Sequence, residues 1–417
     1  MQHIPTLILG GGQAGLSSSY FLKQQNHEHL ILEKAAHPAH AWRNDRWDSF
    51  ALLTPNWTVQ LPGAPYDGDD RDGFLSREAI ITYLETYAAR FHLPVQYNTP
   101  ALAVEPLPEG GFHVSTPEAL YHAQNVIIAT GTFQTPQIPA FAQNLASSIT
   151  QLHSGQYRNP EALPPGAVLI VGSGQSGCQI AEELYQAGRK VYLAVGKTGR
   201  VPRRYRGKDT FEWLHLLGFF DRTVDQLPSP MARFGSNPHL SGKNGGHSLN
   251  LHQFVRDGVT LLGHFTGAEG NSLTFAPDKN QSLTQSDQFE ANIVNMIDGF
   301  IQKSGLDAPS ETLPHLEDGY ALPDIEHLDS LEAKITSIIW ANGYKFDYRL
   351  VKADLFEPTG YPIQTRGVTA IPGLYFVGLN WLHKYKSTLF VGVGEDAEYI
   401  ANHVLARAKS EQKMNIA

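Results

Sequence analysis

The sequence predicts an α/β protein built from two nested, doubly wound nucleotide-binding units, the second inserted into the first. Three observations carry this. A short apolar strand runs into G-x-G-x-x-G twice, at Gly10, Gly12 and Gly15 and again at Gly172, Gly174 and Gly177. Each copy opens a helical pattern, and a pair in strand-turn-helix context is far more specific than one glycine-rich turn alone. Two further apolar strings end in small residues, Asn125 to Gly131 and Ser337 to Gly343. They stand where the chain would leave the first unit and return to it. On this reading, residues 1–158 and 322–417 form the first unit and residues 159–321 the second.

In the first unit, Thr6 to Leu9 reads as a buried parallel strand, Ala14 to Gln25 as a helix, and Leu30 to Glu33 as the next strand. One glycine allows the tight turn, one lets backbone approach a pyrophosphate, and one lets the helix pack closely, with the helix N-terminus facing the phosphates. Gly10, Gly12, Gln13, Ala14 and Gly15 are thereby assigned to a dinucleotide. Glu33 follows Gly15 by 18 residues. That is near the spacing at which a carboxylate accepts hydrogen bonds from the adenosine ribose of FAD or NAD, and Lys34 stands beside it.

The connection from Trp42 to Phe74 is irregular and rich in aromatic residues and proline. A long loop of that kind is expected to pack over something, and a flat flavin ring, reached by Trp42, would suit it. Ser76 reads as the N-cap of a helix from Arg77 to Phe91. Short strands near 95–97, 101–104 and 113–115 read as an antiparallel flap. Thr130 and Gly131, at the end of the next apolar string, join the cofactor set. Pro136, Pro139, Pro160, Pro164 and Pro165 mark a stiff linker.

The second turn assigns Gly172, Gly174, Gln175, Ser176 and Gly177 to another dinucleotide. Counting the same 18 residues from Gly177 reaches Val195, so the ribose-binding acid is missing. Lys197, Arg200, Arg203, Arg204 and Arg206 follow. An acid would repel a 2′-phosphate, whereas Lys and Arg pair with it, so Lys197, Arg200 and Arg203 are expected to select NADPH over NADH. A solvated loop is the plainer alternative. Further on, Asn237 to Gly246 reads as a loop and Val259 to Leu262 as a strand. The stripe through Phe289, Ile293, Ile297 and Ile301 reads as a packed helix face. Near the end, the strand before Gly378 and a last helix opening around Asp396 return the chain to the first cofactor, where free N–H groups could face the flavin.

Composition narrows the function class. A net charge of −9 argues against nucleic acid or an anionic membrane as partner, which leaves a small-molecule substrate. One cysteine, Cys178, forms no internal disulfide, and no run of about 18 apolar residues occurs, so a cytoplasmic protein is expected. The eighteen histidines show no metal-ligand spacing, so no metal is expected. A homodimer is left open.

The two Rossmann-type units, Ala129-Thr130-Gly131 between them, and His153-Ser154-x-x-Tyr157-Arg158 just before the second together resemble the flavin-containing monooxygenases. These are class B flavoprotein monooxygenases, which hold FAD and NADPH on one chain. The resemblance is strongest at residues 6–33, 126–139, 153–177 and 373–397, and weak over 210–330. Of the family fingerprint F-x-G-x-x-x-H-x-x-x-(F/Y/W), His153 and Tyr157 match, whereas Ser147 and Ile149 stand at the Phe and Gly positions. Related Baeyer–Villiger enzymes carry Trp followed by Pro or Asp at Tyr157-Arg158, which favours heteroatom oxygenation here. The resemblance implies that NADPH reduces the flavin, reduced flavin adds dioxygen at C4a, and the hydroperoxide passes one oxygen to a nucleophilic N, S or electron-rich C. It also implies that His153 and Tyr157 couple the two sites, and that Asn56 stabilises the peroxide. A disulfide reductase would need a second redox cysteine. An NADPH oxidase or reductase without oxygen transfer, and a non-catalytic redox sensor, would keep the same nucleotide residues and stay open.

Overall fold

A computed structural model of the chain describes residues 1–416, with side chains through Ser410. The first strand, β1 (Gln2–Leu9), becomes fully buried over its last four residues and turns into α1 (Gln13–Gln24). Then come β2 (His29–Leu32), α2 (Arg77–Arg90), β3 (Val95–Gln96), β4 (Ala103–Pro106), β5 (Phe112–Ser115) and β6 (Leu120–Ile128). Ser76 caps α2 as expected, its side chain accepting from the Ala79 N–H at 3.3 Å. The chain continues through β7 (Thr135–Pro136), β8 (Thr150–His153), β9 (Ala167–Val171), α3 (Gln175–Gln186) and β10 (Val191–Ala194). After β11 (Leu240–Ser241), β12 (His247–Ser248), β13 (Thr260–Leu262) and α4 (Lys279–Ser304), it runs through β14 (Ile335–Trp340), β15 (Tyr344–Lys345) and β16 (Leu374–Phe376) into α5 (Val393–Ile416).

Two sheets organise these elements. The first has the order β3-β2-β1-β6-β5-β4, with β16 also on β6. β1, β2, β3, β6 and β16 run parallel, and β4 and β5 add an antiparallel ribbon. One face packs on α1, α2 and α5 through Ile8, Leu22, Leu84 and Val404; the other carries Leu7, Val126, Phe112 and Phe376. The second sheet is wholly parallel, β8-β14-β9-β10-β13. Its strands are apolar without alternation because both faces are covered: Val168, Ile170 and Leu193 cluster with Ile180, Leu184 and Leu283 on one side, and Leu169, Ile338 and Trp340 with Ala142 and Phe275 on the other.

Three expectations change. The strand at 95–96 extends the parallel sheet beside β2, so the antiparallel flap contains only β4 and β5. Residues 150–153 and 335–340 lie in the second sheet, so the boundaries at 158/159 and 321/322 do not coincide with the sheets. The string from Ser337 is accordingly a strand of the second unit and not the return into the first. A fully buried parallel strand looks the same in either sheet, and only its partners, β8 and β9, decide where it belongs. The two crossings pair with each other instead: Tyr344 opposes Pro136 and Lys345 opposes Thr135 in an antiparallel ribbon of β7 and β15.

Candidate cofactor sites and the joint between them

Both glycine turns have the same backbone. Gly10 adopts φ +108°, and a Cβ there would lie 2.6 Å from the Ala129 carbonyl oxygen. Gly172 adopts φ +106°, and a Cβ there would lie 2.7 Å from the Ala341 oxygen. In each case the neighbour is the residue just after a parallel strand, β6 or β14. Side chains at Gly15 or Gly177 would run into the carbonyls of Gly10 or Gly172, which fixes the close approach of α1 to β1 and of α3 to β9. Gly12 and Gly174 have nothing within 4 Å of a Cβ position, and each stands at a helix N-cap where no side chain caps the free N–H groups. Open space before an uncapped helix N-terminus fits a pyrophosphate at both places.

At the first turn, Glu33 is nearly buried and accepts from the Gly11 N–H at 2.6 Å and the Ala35 N–H at 2.9 Å. These bonds aim the carboxylate along the turn, with lone pairs left for hydroxyls. Lys34 beside it is exposed. Gln13 turns away from the phosphate space and donates to the Thr388 carbonyl at 2.5 Å. Ala14 packs where a Cβ on Gly378 would come within 2.6 Å, so that glycine lets α1 approach the end of β16. Trp42 stacks on Phe390 at 6.0 Å. Asp396, in the first turn of α5, is buried, and its Oδ2 has no hydrogen-bond partner among the described residues. Burial pushes its carboxyl up to about 6, against Ser387 and Arg366, which lower it.

The second turn differs past the backbone. Val195 is buried at the position corresponding to Glu33. Ser173 turns its hydroxyl to Gly196, accepting from its N–H at 3.0 Å and donating to its carbonyl at 3.3 Å. Ser176 is half-buried. Gln175 holds β11, its Oε1 accepting from the Leu240 N–H at 3.0 Å and its Nε2 donating to the Leu240 carbonyl. His239, the residue before, is fully buried with neither ring nitrogen hydrogen-bonded among the described residues. Burial and then Arg200 drop its pKa to about 4.

The arginines expected to meet a 2′-phosphate are placed otherwise. Arg200 is 4% exposed and paired with Asp287, and with Glu290 at 2.6 Å, both on α4. Arg203 is 2% exposed, bonded to both oxygens of Asp209 at 2.5 and 2.7 Å and to the Leu53 carbonyl at 2.8 Å. Both guanidinium groups are neutralised inside the protein, which corrects the expectation. Lys197 alone of the three is exposed. The acids that claim the arginines come from α4 and a short hairpin, and no local pattern in the sequence pairs them.

Asn56, His153 and Tyr157 do not gather around one point. Asn56 is 2% exposed, donates to the Asp70 carbonyl at 2.8 Å, and keeps its Oδ1 without a partner among the described residues. His153 ends β8. Its Nδ1 accepts the Gly155 N–H at 3.2 Å, which leaves the proton on Nε2 to donate to the Gly343 carbonyl at 3.0 Å. Burial lowers its pKa, so the ring is neutral. Tyr157 is fully buried and donates to Glu183 at 2.9 Å, while Ser49 donates to the other oxygen of that carboxylate at 2.5 Å. Its side chain packs in the core of the second unit, so the catalytic place expected for Tyr157 becomes a structural bond within that unit, which Ser49 joins from the first.

Thr130 and Gly131 sit at the outgoing crossing, Thr130 accepting from Gln134 at 2.9 Å and Gly131 from the Tyr348 hydroxyl at 3.2 Å. At the returning crossing, the Tyr344 ring meets His153 at 4.6 Å and Phe133 at 5.3 Å. A cleft of about 320 Å³ opens between residues 48–76 of the first unit and Gly242 to Gly245 of the second, with Phe50 and Phe74 in its wall. Sequence reading missed this cleft, since its two walls lie far apart in the chain. Among the described residues, no helix is long and apolar enough to cross a membrane, and no group of three or more metal-ligating side chains occurs.

Comparison with known proteins fits this geometry. Residues 7–210 match the pyridine nucleotide-disulphide oxidoreductase family model. An uncharacterized CzcO-like oxidoreductase of Geobacillus kaustophilus is 34% identical, over 97% of this chain and 99% of that one. A probable indole-3-pyruvate monooxygenase of Arabidopsis thaliana, YUCCA3, is 29% identical over 49% of each chain. Among solved structures, a flavin-containing monooxygenase from Stenotrophomonas maltophilia superposes with TM-score 0.66 at 20% identity, covering 98% of this chain and 100% of that one.

Proposed function

We infer the reaction from one premise: the chain belongs to the family of CzcO-like oxidoreductases, on the fold of the class B flavin-containing monooxygenases, and is an oxidoreductase that uses FAD and NADPH. We propose that it takes two electrons from NADPH and places one atom of O2 on a small nucleophilic substrate. NADPH, a proton, O2 and substrate become NADP⁺, water and the oxygenated product. The carrying observation is that two open, uncapped phosphate turns lead to one joint, where the strand ends beside Gly10 and Gly172 both run into the paired crossings.

The residues fit the cofactors. Gly12 leaves room for the FAD pyrophosphate, Glu33 offers acceptors to its ribose, and Trp42, Gly378 and Asp396 line the way to α5. Gly174 leaves room for the NADPH pyrophosphate, and Lys197 is the exposed cation at the end of β10. Bound FAD supplies electron transfer and oxygen activation. What the chain adds is orientation and a dry site. Asn56 keeps a buried acceptor without a partner among the described residues, and His153, latched to Gly343, ties the β8 end to the returning crossing. Cys178 is buried, and burial raises its thiol pKa far above the ordinary value, which speaks against a thiol cycle. We place the protein in the cytoplasm on the same reading.

The test is product balance under ¹⁸O2. Purified, FAD-loaded protein is given NADPH and a panel of sulfides and amines. Sulfoxide or N-oxide carrying ¹⁸O, matched to NADPH consumed, supports the proposal. Hydrogen peroxide equal to all NADPH consumed across the panel would replace it with an NADPH oxidase. His153→Ala is expected to shift consumption toward peroxide while FAD stays bound.

A further inference from the structure

Arg46 stands at the joint with no part in the reaction above. Its guanidinium lies over the rings of Trp42 at 5.4 Å, Phe50 at 5.7 Å and Phe133 at 5.5 Å. Nη1 donates to the Asp45 backbone carbonyl at 2.7 Å. No ion pair within 4 Å holds it among the described residues, and the groups whose charge it feels are the Asp45 carboxylate and the Tyr344 hydroxyl. Arg77, Arg200, Arg203 and Arg206 each hold an acid, and Arg158, Arg189 and Arg204 each bond two or more backbone carbonyls, whereas Arg46 bonds one.

A partly desolvated cation with only the adjacent Asp45 and no close ion pair is unfavourable. Three aromatic faces offset part of that by cation–π attraction, but they engage the face of the guanidinium and leave its N–H edge to other acceptors beyond the one Nη1 bond to the Asp45 carbonyl. That edge matches a planar anion presented side-on, with two parallel N–H···O bonds. Position adds the second argument. Trp42 also stacks on Phe390, two residues past the Thr388 carbonyl that Gln13 binds. Phe133 follows Gly131 by two residues and touches Tyr344, which touches His153. Phe50 lines the 320 Å³ cleft between the units. A molecule held at Arg46 therefore lies between the exits of both glycine turns.

We propose that Arg46, with the rings of Trp42, Phe50 and Phe133, recognises the carboxylate of a small aromatic or apolar acid, the substrate of the monooxygenase reading on which this rests. The carboxylate takes the guanidinium edge, and the apolar body lies against the rings and in the cleft. A nucleotide phosphate could pair with the same edge. It is the poorer match, because each dinucleotide already has its own open glycine and uncapped helix N-terminus, and aromatic walls favour an apolar body over a hydrated phosphate.

The experiment needs no turnover, so it stays readable if oxygen transfer fails. FAD-loaded protein is titrated with benzoate and with benzamide, followed by the flavin difference spectrum, and separately with NADP⁺. Wild type is expected to bind benzoate about 10-fold or more tightly than benzamide, the worth of a charge-assisted pair. Arg46→Met should remove that preference, weakening benzoate more than NADP⁺, and Arg46→Lys, which keeps the charge without the fork, should fall between. Should the Met variant lose its FAD, the Lys variant carries the comparison. Equal affinities for benzoate and benzamide in wild type, no saturable benzoate binding, or a larger loss for NADP⁺ than for benzoate would each overturn the proposal, the last by giving Arg46 to the nucleotide.

Discussion

The two glycine turns are close copies in backbone and opposites in what surrounds them. Gly10 and Gly172 share a left-handed φ and the same carbonyl contact, and Gly12 and Gly174 share the same open space. At the end of the next strand, however, one has Glu33 held by two backbone N–H groups and the other has buried Val195. Behind the first lies a buried acid, Asp396; behind the second lie a buried unpaired His239 and two arginines locked to acids. On the proposed reading, phosphate binding rests on local backbone, which a short motif can specify. Discrimination between nucleotides rests, on the same reading, on tertiary partners, which it cannot.

Valine at each turn should separate the two sites most sharply. A β-branched residue at that φ stores ~1–3 kcal/mol of strain, and the carbonyl clash adds to it. Gly10→Val is expected to leave the protein colourless. Gly172→Val is expected to keep FAD, read at the flavin absorbance band, while losing reduction by NADPH. If both variants lost FAD alike, the sites would not be separable.

Next in size is the pair of locked arginines against Lys197. Removing one partner of a buried ion pair costs ~3–5 kcal/mol, so Arg203→Met should melt well below wild type yet keep its NADPH over NADH ratio. Lys197→Ala should do the reverse. Its melting temperature holds, and kcat/KM for NADPH falls about 10- to 100-fold, from a charge-assisted contact of ~1.5–3 kcal/mol, with little change for NADH. A larger loss of NADPH preference from Arg203→Met would restore that arginine to the phosphate.

The smallest contrast is in pH. Asp396, raised to about 6, binds a proton in the folded state between the ordinary carboxylate range and about 6 where the unfolded chain does not. Its contribution therefore favours folding at low pH and is lost as pH rises through about 6, by up to ~3 kcal/mol at 1.36 kcal/mol per unit. His239, lowered to about 4, has the opposite sign: its contribution is full above the ordinary histidine pKa and is lost as pH falls toward 4. Asp396→Asn should raise the melting temperature at pH 7.5 more than at pH 4.5. His239→Leu should shrink the drop between pH 6.5 and pH 4.5. Melting curves of both variants across that range check the signs.

Much of the fold was legible because strand, turn and helix are encoded locally. The βαβ unit around Gly10, the Ser76 cap and the second glycine turn all follow from spacing and residue type. The sheet membership of 150–153 and 335–340 was not legible, since an apolar run says that a strand is buried and not beside what. The site divides in the same way. Glu33 stands out by its distance from Gly15, whereas Arg200 carried a true signal of charge and a false one of availability. Its charge is visible in the sequence, but the acids that take it up are 87 and 90 residues away. Arg46 was passed over for the converse reason, because the lack of a close ion pair has no sequence pattern.

The ribbon of β7 and β15 bears on how such a chain can be taken apart. Thr135–Pro136 and Tyr344–Lys345 are hydrogen-bonded neighbours, so the entry and exit of the inserted unit lie about one strand spacing, ~4.8 Å, from each other. Residues 137–343 thus form a closed excursion from the first sheet. A tight turn joining Pro136 to Tyr344 would span the gap, and the excised segment would have adjacent ends. Such a geometry makes the second unit an exchangeable cassette: a gene segment with another nucleotide preference could be set into the same two residues of ribbon without cutting a strand of either sheet.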